Sequence, residues 1–229
     1  MMALLGDIIQ IHHRKLHPRF GRVNDDSDVL LIESCLEDCA QSINTIEQQY
    51  EMSSSDGDMP ASEVLSPGSA TSHQSTASRP FYDATLPRQS RGHAQARLVT
   101  AYSRFILHVL HVLLHGKWDA VSMLDNDDGW IPSVQFMKCA THAIAASEAV
   151  ERILVCDPEL TFSPYLFGIY LLHGSFILLL FADRMPQLGQ NASVEKACET
   201  IIKAHEVCVV TLSTEFQVRS SVLQACLDD

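Results

Sequence analysis

None of the seven cysteines in this chain of 229 residues stands in a C-x-x-C pair: they are Cys35, Cys39, Cys139, Cys156, Cys198, Cys208 and Cys226. Zinc fingers and thioredoxin-like redox sites need that pairing, so its absence argues against both. An odd number of widely spaced cysteines among apolar neighbours reads as reduced thiols in a cytosolic or nuclear compartment. Positive charge is also scarce. The 28 acidic residues outweigh 16 Lys plus Arg, for a formal net charge of -12. Phosphate backbones and acidic membranes are gripped by Lys and Arg, so the chain alone is a poor binder of either. No useful run alternates apolar and polar residues, and no segment repeats. There is no G-x-S-x-G, no phosphate-cradling Gly-rich loop and no dinucleotide fingerprint, which disfavours an enzyme. Met1 to Ile11 is apolar, but it lacks a basic leading region and a cleavage site, so it is not read as a signal peptide. The abrupt start and stop are what a piece of a longer protein would show.

What is present is helical periodicity, and with 46% hydrophobic residues the chain can bury a core. Three zones follow. Residues 1–51 hold two helical patterns, one from about Met2 to His17 that stops at Pro18, and one starting near Ser27. The second places Leu30, Leu31, Cys35, Leu36, Cys39, Ile43 and Ile46 at three- and four-residue steps. Residues 52–93 turn to Ser, Thr, Pro and Gly and are expected to be a flexible, disordered linker. Residues 94–229 return to helices. Ala94–His115 carries a stripe of Leu98, Tyr102, Phe105, Val109 and Val112 and ends at Gly116, a C-cap. An Asp- and Gly-rich connector over 117–132 contains Trp118 and Trp130. Ser133 caps the next helix, which Asp157-Pro158 stops at Cys156. Its small residues, Ala140, Ala143, Ala146 and Ala149 among them, let helices approach closely and place it centrally. Tyr165–Ala182 is apolar enough to suggest a membrane span, yet His173, Gly168, Gly174 and Ser175 favour a helix buried on all sides of a bundle. The last strong helix starts near Asn191–Ser193.

Each chemical motif has a plainer reading. His108, His111 and His115 share one side of a helix and could converge on a metal, but Leu and Val surround them and no fourth ligand is suggested, so packed histidines are favoured. His205-Glu206 starts a zinc-protease motif that Val209 breaks. Asp125 to Gly129 resembles a calcium loop, but its Gly is one place early and Phe136 stands where the closing Glu belongs. Ser175 follows a Gly inside the most apolar helix, a poor place for a nucleophile. Asn191-Ala192-Ser193 matches a glycosylation sequon and is better read as a helix N-cap.

Longer stretches carry a family likeness. HVLHVLLHGKWD from His108 to Asp119, FGIYLLHGSF from Phe167 to Phe176, and KACETIIKAHE from Lys196 to Glu206 with CVVTL from Cys208 to Leu212 resemble the fungal xylanolytic transcriptional activators, which are zinc-binuclear-cluster regulators. LLGDII from Leu4 to Ile9, through HPRFG from His17 to Gly21, is collinear with the same family. The resemblance implies an all-α, multi-helix bundle of the fungal transcription factor regulatory-region type, with a disordered Ser/Pro-rich insertion. It implies a nuclear, non-enzymatic regulator of genes for xylan- and cellulose-degrading enzymes. In such relatives DNA is read through a zinc cluster. That cluster is absent from this chain, so no cofactor and no zinc or DNA-contact residue is carried over. Expected partners are co-regulator proteins and a sugar-derived inducer, with no membrane. If a sugar binds, Trp118 and Trp130 are the residues whose faces could stack on it, although both could equally be packing anchors.

Overall fold

A computed structural model describes residues 1–15, 26–55, 88–118, 120–124, 129–131, 133–161, 165–188 and 191–227. The centre of the linker (56–87), the Pro18 stop and the acidic run Asp125–Asp128 lie outside the described residues. Seven helices and no strand are found among the described residues: α1 (Met2–Lys15), α2 (Asp26–Ser55), α3 (Arg88–His115), α4 (Ala120–Leu124), α5 (Val134–Cys156), α6 (Tyr165–Leu188) and α7 (Ala192–Leu227). The all-α expectation holds.

Two helices are longer than their apolar stripes. α2 runs on to Ser55, and α3 begins at Arg88, six residues before the apolar pattern. Arg88, Gln89 and Arg91 have good intrinsic helix propensity that outweighs Gly92, so the helix propagates backward without a packed face to announce it. The caps are the ones the sequence spells. The Ser133 hydroxyl accepts the Phe136 N–H at 3.2 Å, and the Asn191 side chain accepts the Ser193 N–H at 3.0 Å. Where α5 ends, the buried Asp157 carboxylate accepts from the Thr161 N–H and hydroxyl at 3.0 and 2.9 Å. Between them Leu160 sits at φ +49° with its side chain fully buried. Burial of the leucine compensates a backbone conformation that L-residues disfavour.

α5 is central, as its alanines require. It packs against α3 over the most extensive helix pair and also meets α6 and α7. Ala140, Ala143, Ala146 and Ala149 are all buried. Larger side chains fill the space around them: Phe105 lies 4.8 Å from Phe167, and Phe136 lies 5.7 Å from Phe181, centroid to centroid. α2 docks on α3 through Arg104, which donates to both Glu47 carboxylate oxygens and, at 2.6 Å, to Asn44. The stretch Gly92–His115 is long and apolar enough to cross a membrane by composition, and more than half of its apolar window lies inside the bundle.

α6 departs from expectation. Phe167, Leu171, Ile177, Leu178 and Phe181 are buried, but Ile169, Leu172 and Leu179 are exposed. The helix is apolar all round and buried over most of its circumference, but the strip through Ile169, Leu172 and Leu179 is left uncovered.

Candidate functional site

Three arrangements bring polar chemistry together. The first is a seam of imidazoles between α3 and α5. His108 and His142 face each other with Nδ1 atoms 3.1 Å apart, so one ring donates and the other accepts. The His111 ring stacks on His142 at 3.9 Å with the planes 1° apart, and His115 follows 6.4 Å further along. His115 Nε2 lies 2.8 Å from Glu33 Oε1 but not at hydrogen-bond geometry, so the pair is an ion pair only when the ring is protonated. Lys138 donates to the same Glu33 oxygen.

Burial keeps these rings neutral. It holds His108 down at about 4, with help from His142, Arg104 and Arg152. Burial likewise brings His111 to about 3 and His115 to about 4, and lowers His142. Glu33 is pushed up by burial but pulled further down by Lys138 and His115. The sequence pattern identified three of the four rings. His142 was missed because its partners lie on another helix. Among the described residues, no three ligating side chains gather as a metal site.

The second arrangement joins α6 to α7. The Ser175 hydroxyl donates to the Leu171 carbonyl at 2.6 Å, and the His205 Nε2 is 2.8 Å from the Ser175 hydroxyl oxygen. A hydroxyl has one proton. With that proton on Leu171, Nε2 must donate, so the pair cross-links the helices and the serine is not activated.

The third is an open cleft of about 700 Å³ where α2, α3, α5 and the start of α7 converge. Tyr50, His93, Arg97, Glu148, Arg152 and Lys196 are among its walls. Lys196 pairs with Glu151 at 2.8 Å across its α5–α7 side. The cleft mixes carboxylates with cations, so it offers donors and acceptors in similar measure.

Trp118 and Trp130 lie outside this cleft. Trp118 donates its Nε1–H to the Leu113 carbonyl at 2.8 Å and lies against the His12 ring, centroids 4.3 Å apart and planes tilted by 30°. Trp130 meets Phe136 edge-on at 5.1 Å, with the Lys117 ammonium 5.3 Å from its ring centre. Both are half-buried against the core, and both flank the connector.

Over nearly its whole length the chain is homologous to one segment of the xylanolytic transcriptional activators. It is 44% identical to the xylanolytic transcriptional activator xlnR of Aspergillus flavus, over 95% of this chain and 23% of that protein. The xlnR of Aspergillus niger is 42% identical over the same shares. That of Aspergillus terreus is 40% identical over 99% of this chain and 24% of its own length. The chain thus spans about a quarter of the length of the curated relatives it matches. No family model matches, and no solved structure does.

Proposed function

We propose that this chain is a regulatory segment of a xylanolytic-type transcriptional activator, acting in the nucleus on genes for xylan- and cellulose-degrading enzymes without catalysing a reaction. The observation that carries this reading is the 40–44% identity to named activators along almost all of the chain. The acidic surface suits a part that controls DNA reading while leaving phosphate contacts to a zinc-bearing cluster elsewhere in the relatives. The segment works as a helical bundle with two populated states, and a ligand biases their balance by binding one better than the other.

The ligand we propose is a sugar-derived inducer. The cleft lined by Tyr50, His93, Arg97 and Arg152 supplies its polar contacts. Trp118 and Trp130 sit on the connector between α3 and α5 and are the second place where such a ring could stack.

A fusion test addresses the regulatory role. The chain is joined to a heterologous DNA-binding domain in a fungal reporter strain and grown with and without xylose. Reporter output that changes with the sugar supports the reading. Output identical to that of the DNA-binding domain alone in both conditions overturns it. Titration of the purified chain with D-xylose then assigns the contact. Heat of binding that Arg152→Ala removes supports the cleft, and quenching of tryptophan fluorescence supports the connector.

A further inference from the structure

We propose that the outer face of the α6–α7 pair is a docking groove for an amphipathic helix with a basic flank. The register of the two helices is fixed by two contacts. Ser175 meets His205, and the Cys198 thiol points at the Leu178 carbonyl at 3.9 Å. The helices therefore run antiparallel, with Cys198 and His205 on the flank of α7 that faces α6. The opposite flank of α7 turns to α5, where Lys196 pairs with Glu151.

At 100° per residue, Ile202 and Val209 follow Cys198 and His205 on the outer side of the α6-facing flank. They are 56% and 63% exposed. On α6 the same construction puts Leu172 and Leu179, 47% and 58% exposed, just outside Ser175. Two apolar ridges thus run side by side. The valley between them has a small-residue floor, Gly168 and Ser175, with His205 beside it. A Cβ built on Gly168 would meet nothing within 4 Å, so the valley is open there. Ridges spaced by seven residues on each of two helices are what a third helix packs into.

Charge selects the occupant. The next positions outward on α7 are Glu195, Glu199 and Glu206, all exposed, and none has an ion-pair partner among the described residues. Lys203 is the cation on that face, leaving a net acidic rim beside the apolar ridges. On α6 the face from Ile169 to Leu179 carries no carboxylate and no Lys or Arg. A helix with Leu-type residues on one stripe and Lys or Arg along one flank matches both edges.

The test uses the full chain and a fluorescent form of the Leu/Lys peptide LKKLLKLLKKLLKL, followed by anisotropy, with a counterpart carrying Glu in place of each Lys. Saturable binding of the basic peptide is expected. Leu172→Ser with Leu179→Ser should weaken it about tenfold or more. Gly168→Leu, which fills the valley with a better helix former, should weaken it as well. Glu199→Lys with Glu206→Lys should weaken the basic peptide and recruit the acidic one. Unchanged melting temperatures will establish that these surface variants remain folded.

Binding that ignores the ridge variants overturns the proposal and leaves only attraction to the net charge of the chain. So does an absence of binding. A chain dimer in sedimentation that the Leu172/Leu179 variant breaks assigns the face to a second copy and overturns it too. Co-sedimentation with phosphatidylcholine vesicles, lost in the same variant, assigns it to a membrane with the same consequence.

Discussion

Two sets of residues bear most directly on stability. Asp157 is almost fully buried and closes the α5 corner with two hydrogen bonds to Thr161. Asp157→Ala would remove two hydrogen bonds to a buried carboxylate, hand the donors of the exposed Thr161 to water and release Leu160 from its left-handed conformation. A loss of about 1–3 kcal/mol is expected, read as a lower urea midpoint with unchanged m-value. The imidazole seam predicts an acid limit. His108, His111 and His115 titrate at about 4, about 3 and about 4 in the fold, against an ordinary value of 6.5. The unfolded chain therefore binds protons first as pH falls. The stability these rings contribute is fully present above about pH 6.5 and is lost progressively as pH drops toward 4 and 3. The groups facing the seam are His142, Lys138, Glu33, Arg104 and Arg152, and most are cations that deepen the effect. Denaturant midpoints at pH 7 and pH 5 measure it. A fall on the order of 2 kcal/mol for each ring that stays neutral at pH 5, several kcal/mol in all, is expected for the native chain, and a flatter profile for His111→Gln with His142→Gln. Equal midpoints in the native chain would mean the seam is hydrated and the rings are free to charge.

Among elements, legibility followed whether the cause of a feature is local. The start of α5 at Ser133, its stop at Asp157-Pro158 and the Asn191 cap of α7 were readable because caps are made by residues within three or four positions. The end of α3 at Gly116 was also readable, but for a different reason from a left-handed C-cap. A Cβ at Gly116 would lie 2.5 Å from the Val112 carbonyl oxygen and 3.6 Å from the Cys139 thiol, so the glycine is required by close approach. Gly116→Ala should therefore destabilise the α3–α5 pair by about 1–3 kcal/mol, whereas the same change at Gly92, where nothing lies within 4 Å, should stabilise α3 by about 0.5–1 kcal/mol. Melting of the two variants side by side checks the sign of each. What could not be read was set by partners distant in sequence. His142 joined a histidine stripe on another helix, and the exposed side of α6 depends on which neighbours cover it, which hydropathy does not encode. The cleft is illegible for the same reason: its walls come from four helices, and no short motif marks any of them.

At the scale of the whole molecule, the bundle has two parts joined across residues 56–87, and the contacts between those parts decide how much the join matters. α1 and α2 are held to the rest by specific contacts along their length. His12 is 2.9 Å from the Leu113 carbonyl, Glu33 meets His115 and Lys138, Arg104 clamps Glu47 and Asn44, and Tyr50 meets His93 edge-on at 5.8 Å. These pairs climb α2 as they descend α3, so the two helices are antiparallel and Ser55 ends level with Arg88. Helices packed this way lie about 8–10 Å apart, a gap that about eight Gly/Ser residues cross easily. Replacing 56–87 with such a linker should thus leave the fold intact. If 56–87 is the flexible linker that its Ser-, Thr-, Pro- and Gly-rich composition predicts, the change should also stabilise the fold, since closing a loop about a quarter as long costs about 1 kcal/mol less. The expected readout is a melting temperature about 2–4 °C higher with unchanged helical circular dichroism. Arg104→Gln in the shortened chain should remove that gain, because the gain exists only if α2 is already docked by its own contacts. A shortened chain that melts lower or loses helicity would place residues 56–87 within the cooperative unit, and the two helical parts could then no longer be treated as one bundle with a passive join.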